Sequence, residues 1–274
     1  MIDYSYIKEI FEYKGMPPVV HCITNYVTSG DVANIILAVG GSPIMAEDIN
    51  EAEDIVKSAS SLVINIGTLS ERKTEAMILA GKAANKNGIP VVFDPVGAGA
   101  SEFRGRSAMK ILREVHPDII RGNLSEMSWL CGKSKGARGV DTSPEDEKNS
   151  RFEIAGIAAL KFDCIAAVAG VEDAVSDGYR GYMIKNGTIH MSKVTGTGCM
   201  SSGLMGYFAA LSKREKLLDY TAAAAALMGI AGECSAAEYI GRGLGSFRIG
   251  IIDYISKISF GEFMKMQKIE ECVL

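Results

Sequence analysis

The stretch Val194-Thr195-Gly196-Thr197-Gly198-Cys199-Met200-Ser201-Ser202-Gly203 alternates glycines with hydroxyl residues and runs straight into small helix-forming residues through Met205, Gly206 and Ala210. A helix that opens on glycines presents free N–H groups and the positive end of its dipole, which suits an anion. Cys199 stands at that helix start, where a thiolate is favoured. The plainer reading is a tight turn ahead of a buried helix.

Three further residues have types that fit phosphate or metal chemistry. Asp94 follows an apolar run and precedes Pro95-Val96-Gly97-Ala98-Gly99. It is read either as an Asx-type turn or as a carboxylate facing a strand-end crevice, able to hold Mg²⁺ directly or through water. Asn123 and Glu126 have the spacing of a helix cap. The same Glu126 carboxylate also lies just past a strand, near enough to such a site to help organise magnesium. Arg121 offers a forked guanidinium for a phosphate, or an ordinary surface ion pair. Gly132-Lys133-Ser134 looks like the tail of a P-loop, but Met127 stands where that motif needs its first glycine. Trp129, Met264 and Met266 read as packing.

These residues need a frame. Apolar runs at Pro18–Ile23, Ser42–Ala46, Leu62–Ile66, Val91–Phe93, Asp118–Ile120 and Cys164–Val168 read as strands. Helical segments separate them, including Tyr4–Tyr13, Ser29–Val39, Glu51–Ser58, Glu71–Asn87, the segment opened by Asn123 and Ile154–Lys161. Continuous apolar strands alternating with helices predict an α/β fold with a mostly parallel central sheet covered on both faces. Asn25, Met45, Gly67, Asp94, Arg121 and Gly170 each follow a predicted strand, where open α/β sheets bind ligands. Gly132–Ser150 reads as a charged surface loop. Asp173–Asp177 and Tyr182–Lys185 read as strands, with Asn186-Gly187 turning into a further strand, Thr188–Met191. Ser201–Leu211, Leu217–Glu238 and the chain from Phe247 onward read as helix.

Composition narrows the function classes. The 274 residues are 47% hydrophobic and 23% charged, enough for a large buried core. With no linker or repeat, residues 1–274 read as a single domain. A net charge of −4 with no basic block argues against nucleic acid or an anionic membrane as partner. No apolar run is long enough to span a bilayer, and the amino-terminal residues lack a signal-peptide core. The six cysteines form no CxxC pair and fit no zinc site, which reads as reduced cytoplasmic thiols. His21, His116 and His190 are scattered and suggest neither a triad nor a metal site.

In this order the pieces resemble the hydroxyethylthiazole kinases, thiamine-salvage enzymes of the ribokinase-like superfamily. The resemblance is carried by Val20–Val27, Gly41–Ala46, Asn65–Leu69, Asp94–Gly99, Arg121–Glu126, Gly139-Val140-Asp141 and Gly196–Cys199. It implies a three-layer α/β/α fold. It also implies magnesium-dependent transfer of the ATP γ-phosphate to the primary alcohol of 4-methyl-5-(2-hydroxyethyl)thiazole, by a homotrimer with active sites between subunits. By motif matching, Asn25, Val27, Met45, Gly67 and Gly196 would face the thiazole. Arg121 would hold ATP, Asp94 and Glu126 would organise magnesium, and Gly196, Thr197, Gly198 and Cys199 would form the anion hole, with Cys199 as base. The sequence departs from the family at Ala169, where a hydroxyl residue is usual. Only a backbone contact to ATP remains possible there. Related sugar kinases carry Asp where Cys199 stands, so the base is expected to be a modest one. The competing functions are another ribokinase-like activity, such as a hydroxymethylpyrimidine kinase or a hydrate dehydratase, and a silent small-molecule-binding protein.

Overall fold

A computed structural model describes residues 2–133 and 151–273. Gly139-Val140-Asp141 and nearly all of the expected 132–150 loop therefore lie outside the described residues. The described strands form one nine-stranded sheet. They are β1 (Val19–Ile23), β2 (Ser42–Ile44), β3 (Ser61–Asn65), β4 (Val91–Asp94), β5 (Ile119–Asn123), β6 (Ile165–Ala169), β7 (Asp173–Ser176), β8 (Arg180–Ile184) and β9 (Ile269–Val273). Their order is β2-β1-β3-β4-β5-β6-β7-β8-β9. Pairing is parallel from β2 through β6 and antiparallel from β6 to β9.

The helices follow the expected alternation. They are α1 (Tyr4–Phe11), α2 (Ser29–Ala38), α3 (Ala52–Lys57), α4 (Glu71–Lys86), α5 (Glu102–Glu114), α6 (Leu124–Leu130), α7 (Arg151–Phe162), α8 (Thr197–Leu211), α9 (Leu217–Tyr239), α10 (Leu244–Ile255) and α11 (Phe260–Met266). Successive strand residues point to opposite faces, and the two cores divide accordingly. Val20, Cys22, Val63, Val92 and Ile119 pack with α2, α8, α9 and α10. Ile23, Leu62, Ile64, Phe93 and Ile120 pack with α4 to α7. All five positions of β3 are buried, as a strand covered on both faces requires. The result is the three-layer α/β/α sandwich.

Close packing seats α8. A Cβ on Gly206 would fall 2.5 Å from Val63 Cγ2, so only glycine lets this helix lie directly on β3. That contact fixes where α8 begins relative to the ends of β3 and β4.

Corrections fall in two parts of the chain, the first of which includes both the expected Thr188–Met191 strand and the expected helical end. Thr188–Met191 is not a hairpin strand: a 3₁₀ helix, Ile189–Lys193, occupies it. Asn186 turns outward to the chain's far end instead, with Nδ2 donating to Met266 O at 3.0 Å and Oδ1 accepting from Lys268 N at 2.7 Å. This docks β9, which the all-helical reading after Phe247 missed, along the free edge of β8. The hairpin lies one step earlier, where Asp177 Oδ1 accepts from the N–H groups of Tyr179 and Arg180, both at 2.9 Å. The second correction concerns α8, which starts at Thr197 rather than Ser201, so Cys199 sits within its first turn.

Candidate active site

The carboxyl ends of β3, β4 and β5 bring Asn65, Asp94 and Arg121 side by side. Asn65 and Asp94 are register partners, and Phe93 pairs with Ile120, one position before Asp94 and Arg121. Arg121 lies within β5 rather than after it, because the strand continues to Asn123. The start of α8 descends onto this row. Its cap residue, Gly196, has φ +93°, a left-handed conformation that glycine adopts freely, and it supplies no side-chain cap. The first-turn amides of α8 are thus left without an acceptor from the cap.

Asp94 is almost completely buried. Its Oδ2 accepts from Asn65 Nδ2 at 2.8 Å and Ser202 Oγ at 2.7 Å. Its Oδ1 is buried with no partner. Burial raises its pKa, and the Arg121 guanidinium and the two hydrogen bonds oppose that shift. A buried acceptor without a donor calls for a cation, a water or a ligand.

Glu126 makes the expected capping box with Asn123: Oε2 accepts from Asn123 N at 2.8 Å, and Asn123 Oδ1 accepts from Glu126 N at 2.9 Å. Its other oxygen, Oε1, accepts from Gly97 N at 2.7 Å, tying the loop after β4 to the start of α6. Burial, reinforced by the Asp94 charge, pushes its carboxyl up to about 7. Capping and proximity to Asp94 therefore hold together.

Arg121 lies against the α8 start so closely that a Cβ on Gly198 would come 2.6 Å from Nη1. Its charge acts on Asp94, Glu126, Asp173 and Cys199 alike.

Cys199 Sγ receives Nδ2 of Asn25 and Nδ2 of Asn65, each at 3.3 Å. Burial and the Asp94 charge raise the thiol's pKa, while hydrogen bonds from Thr28 and Asn25 and the charge of Arg121 oppose the shift. Thr197 is turned away: its hydroxyl donates to Met191 O at 3.1 Å.

The residues expected around the thiazole divide. Gly67 lines an open cavity of about 610 Å³ beside Tyr26, Glu47, Thr68, Lys73 and Arg104. Val27 is 57% exposed and Met45 half-buried against the α8-side core. Asn25 is buried, and its carboxamide is already engaged by Asn65, Cys199 and Thr28. Ala169 ends β6 opposite Asn123, and the next amide, Gly170 N, donates to Asp173 Oδ1 at 2.9 Å.

Three residues escaped the sequence reading. Asn65 joins Asp94 to Cys199, and Ser202 donates to Asp94. Arg104 donates to three carbonyls, Ile66 O at 2.8 Å, Val96 O at 2.9 Å and Gly67 O at 2.7 Å, so it staples the ends of β3 and β4. Asn65 was visible within the Asn65–Leu69 stretch. Ser202 stood within the glycine and hydroxyl stretch with nothing to single it out, and Arg104 left no local signal.

Among the described residues, no cluster of three or more His, Cys, Asp or Glu forms a metal cage, and no helix is long and apolar enough to cross a membrane.

This architecture is that of the ribokinase-like proteins: a ribokinase-like superfamily protein from Enterococcus faecalis V583 superposes with a TM-score of 0.63 over 93% of this chain and 96% of that one, at 11% identity. Sequence places the chain more narrowly. The pattern of the Hydroxyethylthiazole kinase family matches residues 10–260, and the chain belongs to that family. It is 48% identical over 254 residues to the hydroxyethylthiazole kinase of Clostridium botulinum (strain Alaska E43 / Type E3), covering 90% of each chain. The structure of the hydroxyethylthiazole kinase protein from Pyrococcus horikoshii OT3 matches with a TM-score of 0.87 and 36% identity, over 98% of this chain and 99% of that one.

Proposed function

We propose that residues 1–274 form one kinase domain that transfers the γ-phosphate of ATP to the primary alcohol of 4-methyl-5-(2-hydroxyethyl)thiazole, in thiamine salvage. The observation that carries this reading is the meeting of Asp94, Arg121 and Cys199 at the uncapped start of α8. Family membership supplies the substrate.

The chemistry follows from that meeting. The alcohol oxygen bonds to the γ-phosphorus as the bond to the β,γ-bridging oxygen breaks, and ADP leaves with the electron pair. The transition state is loose, so charge spreads over the transferred oxygens and the protein acts chiefly by position and electrostatics. Amides of Gly196, Thr197, Gly198 and Cys199 meet that charge, with Arg121 gripping phosphate beside them. The alcohol proton passes late to the Cys199 sulfur in its thiolate form, which the Asn25 and Asn65 N–H groups and the Arg121 charge favour against burial, and from the resulting thiol to solvent, restoring the thiolate. Ala169 presents only backbone toward ATP. Asn25 contributes to the thiazole site by fixing its floor, while Val27, Met45, Gly67 and Gly196 line it.

Magnesium fits the residues present. The free Oδ1 of buried Asp94 is a hard oxygen acceptor, and the Glu126 carboxyl shares its environment. Two carboxylates suffice because Mg²⁺ is commonly held by one or two of them plus substrate phosphates and water. At these carboxylates the ion would supply charge neutralisation to the phosphates. Glu126 would help hold the ion while its two oxygens keep the backbone N–H groups of Gly97 and Asn123.

The exposed Tyr26-Val27 pair, of which Tyr26 lines the cavity, supports a pocket completed by a second subunit; the homotrimer and its place in the cytoplasm come from the family resemblance alone. ADP release measured with three alcohols (thiazole, pyrimidine and sugar) tests the function. Turnover with the thiazole alone, abolished by EDTA, is the expected result. Equal turnover of the pyrimidine overturns the substrate, and turnover in EDTA overturns the metal. Light scattering at assay concentration should give three times the chain mass, and a fully active monomer rules out the shared pocket.

A further inference from the structure

We propose that Asn65 is a positioning residue for this transfer: its carboxamide, working with that of Asn25, holds the Cys199 sulfur as a hydrogen-bond acceptor in fixed relation to the Asp94 carboxylate. The inference deepens the kinase reading above and rests on it.

The orientation of the Asn65 carboxamide is not free. Asn65 is the last residue of β3 and 1% exposed. Its Oδ1 accepts from the backbone N–H of Gly67 at 2.9 Å and from Asn25 Nδ2 at 3.0 Å. A backbone N–H can only donate, so the oxygen must face Gly67 and the NH₂ must face the other way. The two protons of that NH₂ go to Asp94 Oδ2 at 2.8 Å and Cys199 Sγ at 3.3 Å. Flipping the group would set its carbonyl against the Asp94 carboxylate and its NH₂ against the Gly67 N–H.

Asn25 is fixed in the same sense. Its Oδ1 accepts from Thr28 N and Thr28 Oγ1, both at 3.1 Å, which leaves Nδ2 to face the sulfur at 3.3 Å. The sulfur thus meets two N–H donors whose polarity is set by backbone amides of the loops after β1 and β3. Two donors converging on a sulfur favour its electron-rich form, and they hold its position when a proton arrives. They also oppose what burial and the Asp94 charge do to the thiol. One carboxamide therefore ties the proton acceptor to the carboxylate.

The test uses the full-length protein. Asn65→Leu keeps the side-chain shape and removes every donor. It is expected to lower kcat about 10- to 100-fold, the usual cost of losing a residue that orients a site group, with KM for the thiazole alcohol within about threefold. The rate of Cys199 carboxamidomethylation by iodoacetamide, read on the Cys199 peptide by mass spectrometry without substrates, should fall by a similar factor. In a Cys199→Ala background the same substitution should cost little further kcat, because residues acting through one group are not additive. An equal loss in both backgrounds, an unchanged alkylation rate or an unchanged kcat each overturns the proposal. Should Asn65→Leu not fold, Asn65→Ala, which also removes both donors, is read in the same way. A wild type that alkylates as expected yet phosphorylates no alcohol condemns the kinase reading and leaves the sulfur cradle standing.

Discussion

Gly198 and Arg121 touch across the site: a side chain on Gly198 would put its Cβ 2.6 Å from Arg121 Nη1. The guanidinium therefore packs Nη1-first against the first turn of α8, and the two cannot be varied independently. If Arg121 grips phosphate as proposed, Arg121→Ala removes a charge-assisted contact worth about 1.5–3 kcal/mol. We expect kcat/KM for ATP to fall about 10- to 150-fold. Gly198→Ala should reproduce part of that loss with Arg121 still present, by pushing the guanidinium aside. Steady-state kinetics on both variants and the double mutant check this, and fully additive losses would separate the two residues.

Ser202 donates to Asp94 Oδ2 from one turn further along α8 than Gly198. Ser202→Ala leaves that oxygen with Asn65 alone. The cost is about 1 kcal/mol of stability from the lost hydrogen bond, together with reduced kcat as the carboxylate loosens. Urea denaturation and turnover should change together. A variant with full turnover shows that Asn65 alone holds Asp94.

Glu126 carries two structural bonds besides any role toward magnesium. Glu126→Ala frees the N–H groups of Gly97 and Asn123 and should destabilise the protein by about 1–3 kcal/mol. Denaturation in EDTA isolates this loss from metal binding. An unchanged midpoint in EDTA would leave the residue with a metal role only.

Arg104 is the clamp on the ends of β3 and β4. Arg104→Met keeps the stem and removes three bonds to carbonyls, so the Gly67 end of β3 should become mobile. The expected result is a raised KM for the thiazole alcohol, with a stability loss of about 2–4 kcal/mol discounted from three charge-assisted bonds for partial solvent access. Isothermal titration with the alcohol reads the binding change directly, and unaltered affinity would confine Arg104 to the fold.

Cys22 is the buried thiol on β1, pushed up to about 12 by burial. The unfolded chain loses that proton above about 8.5, so between about 9 and 12 the unfolded state binds fewer protons than the folded one. Stability must then fall as pH rises through that window, by up to about 1.4 kcal/mol per pH unit for this group. Cys22→Ala should be less stable at pH 7 yet show a shallower alkaline slope. Thermal melts from pH 8 to 10.5 measure both, and parallel slopes would remove Cys22 from the account.

What the sequence determined by itself was whatever depends on neighbours in the chain. Continuous apolar runs spelled out β1, β3 and β4, because a strand buried on both faces needs no polar alternation. Asn123 and Glu126, three residues apart, announced their own cap. The glycine-rich start of α8 and the position of Asp94 at a strand end pointed to the candidate site before any fold was known. Tertiary structure alone decided whatever joins distant segments. Ser202 reaches Asp94 across 108 positions, Arg104 reaches Ile66 across 38, and Asn25 reaches Cys199 across 174. The same holds for β9, whose residues pair with β8 some 85 or more positions earlier, as Ile269 does with Ile184. Local pattern carries the propensity of a segment and the phase of its burial. Which donor faces which acceptor is set only when parallel strands align their carboxyl ends and a glycine lets α8 settle onto them.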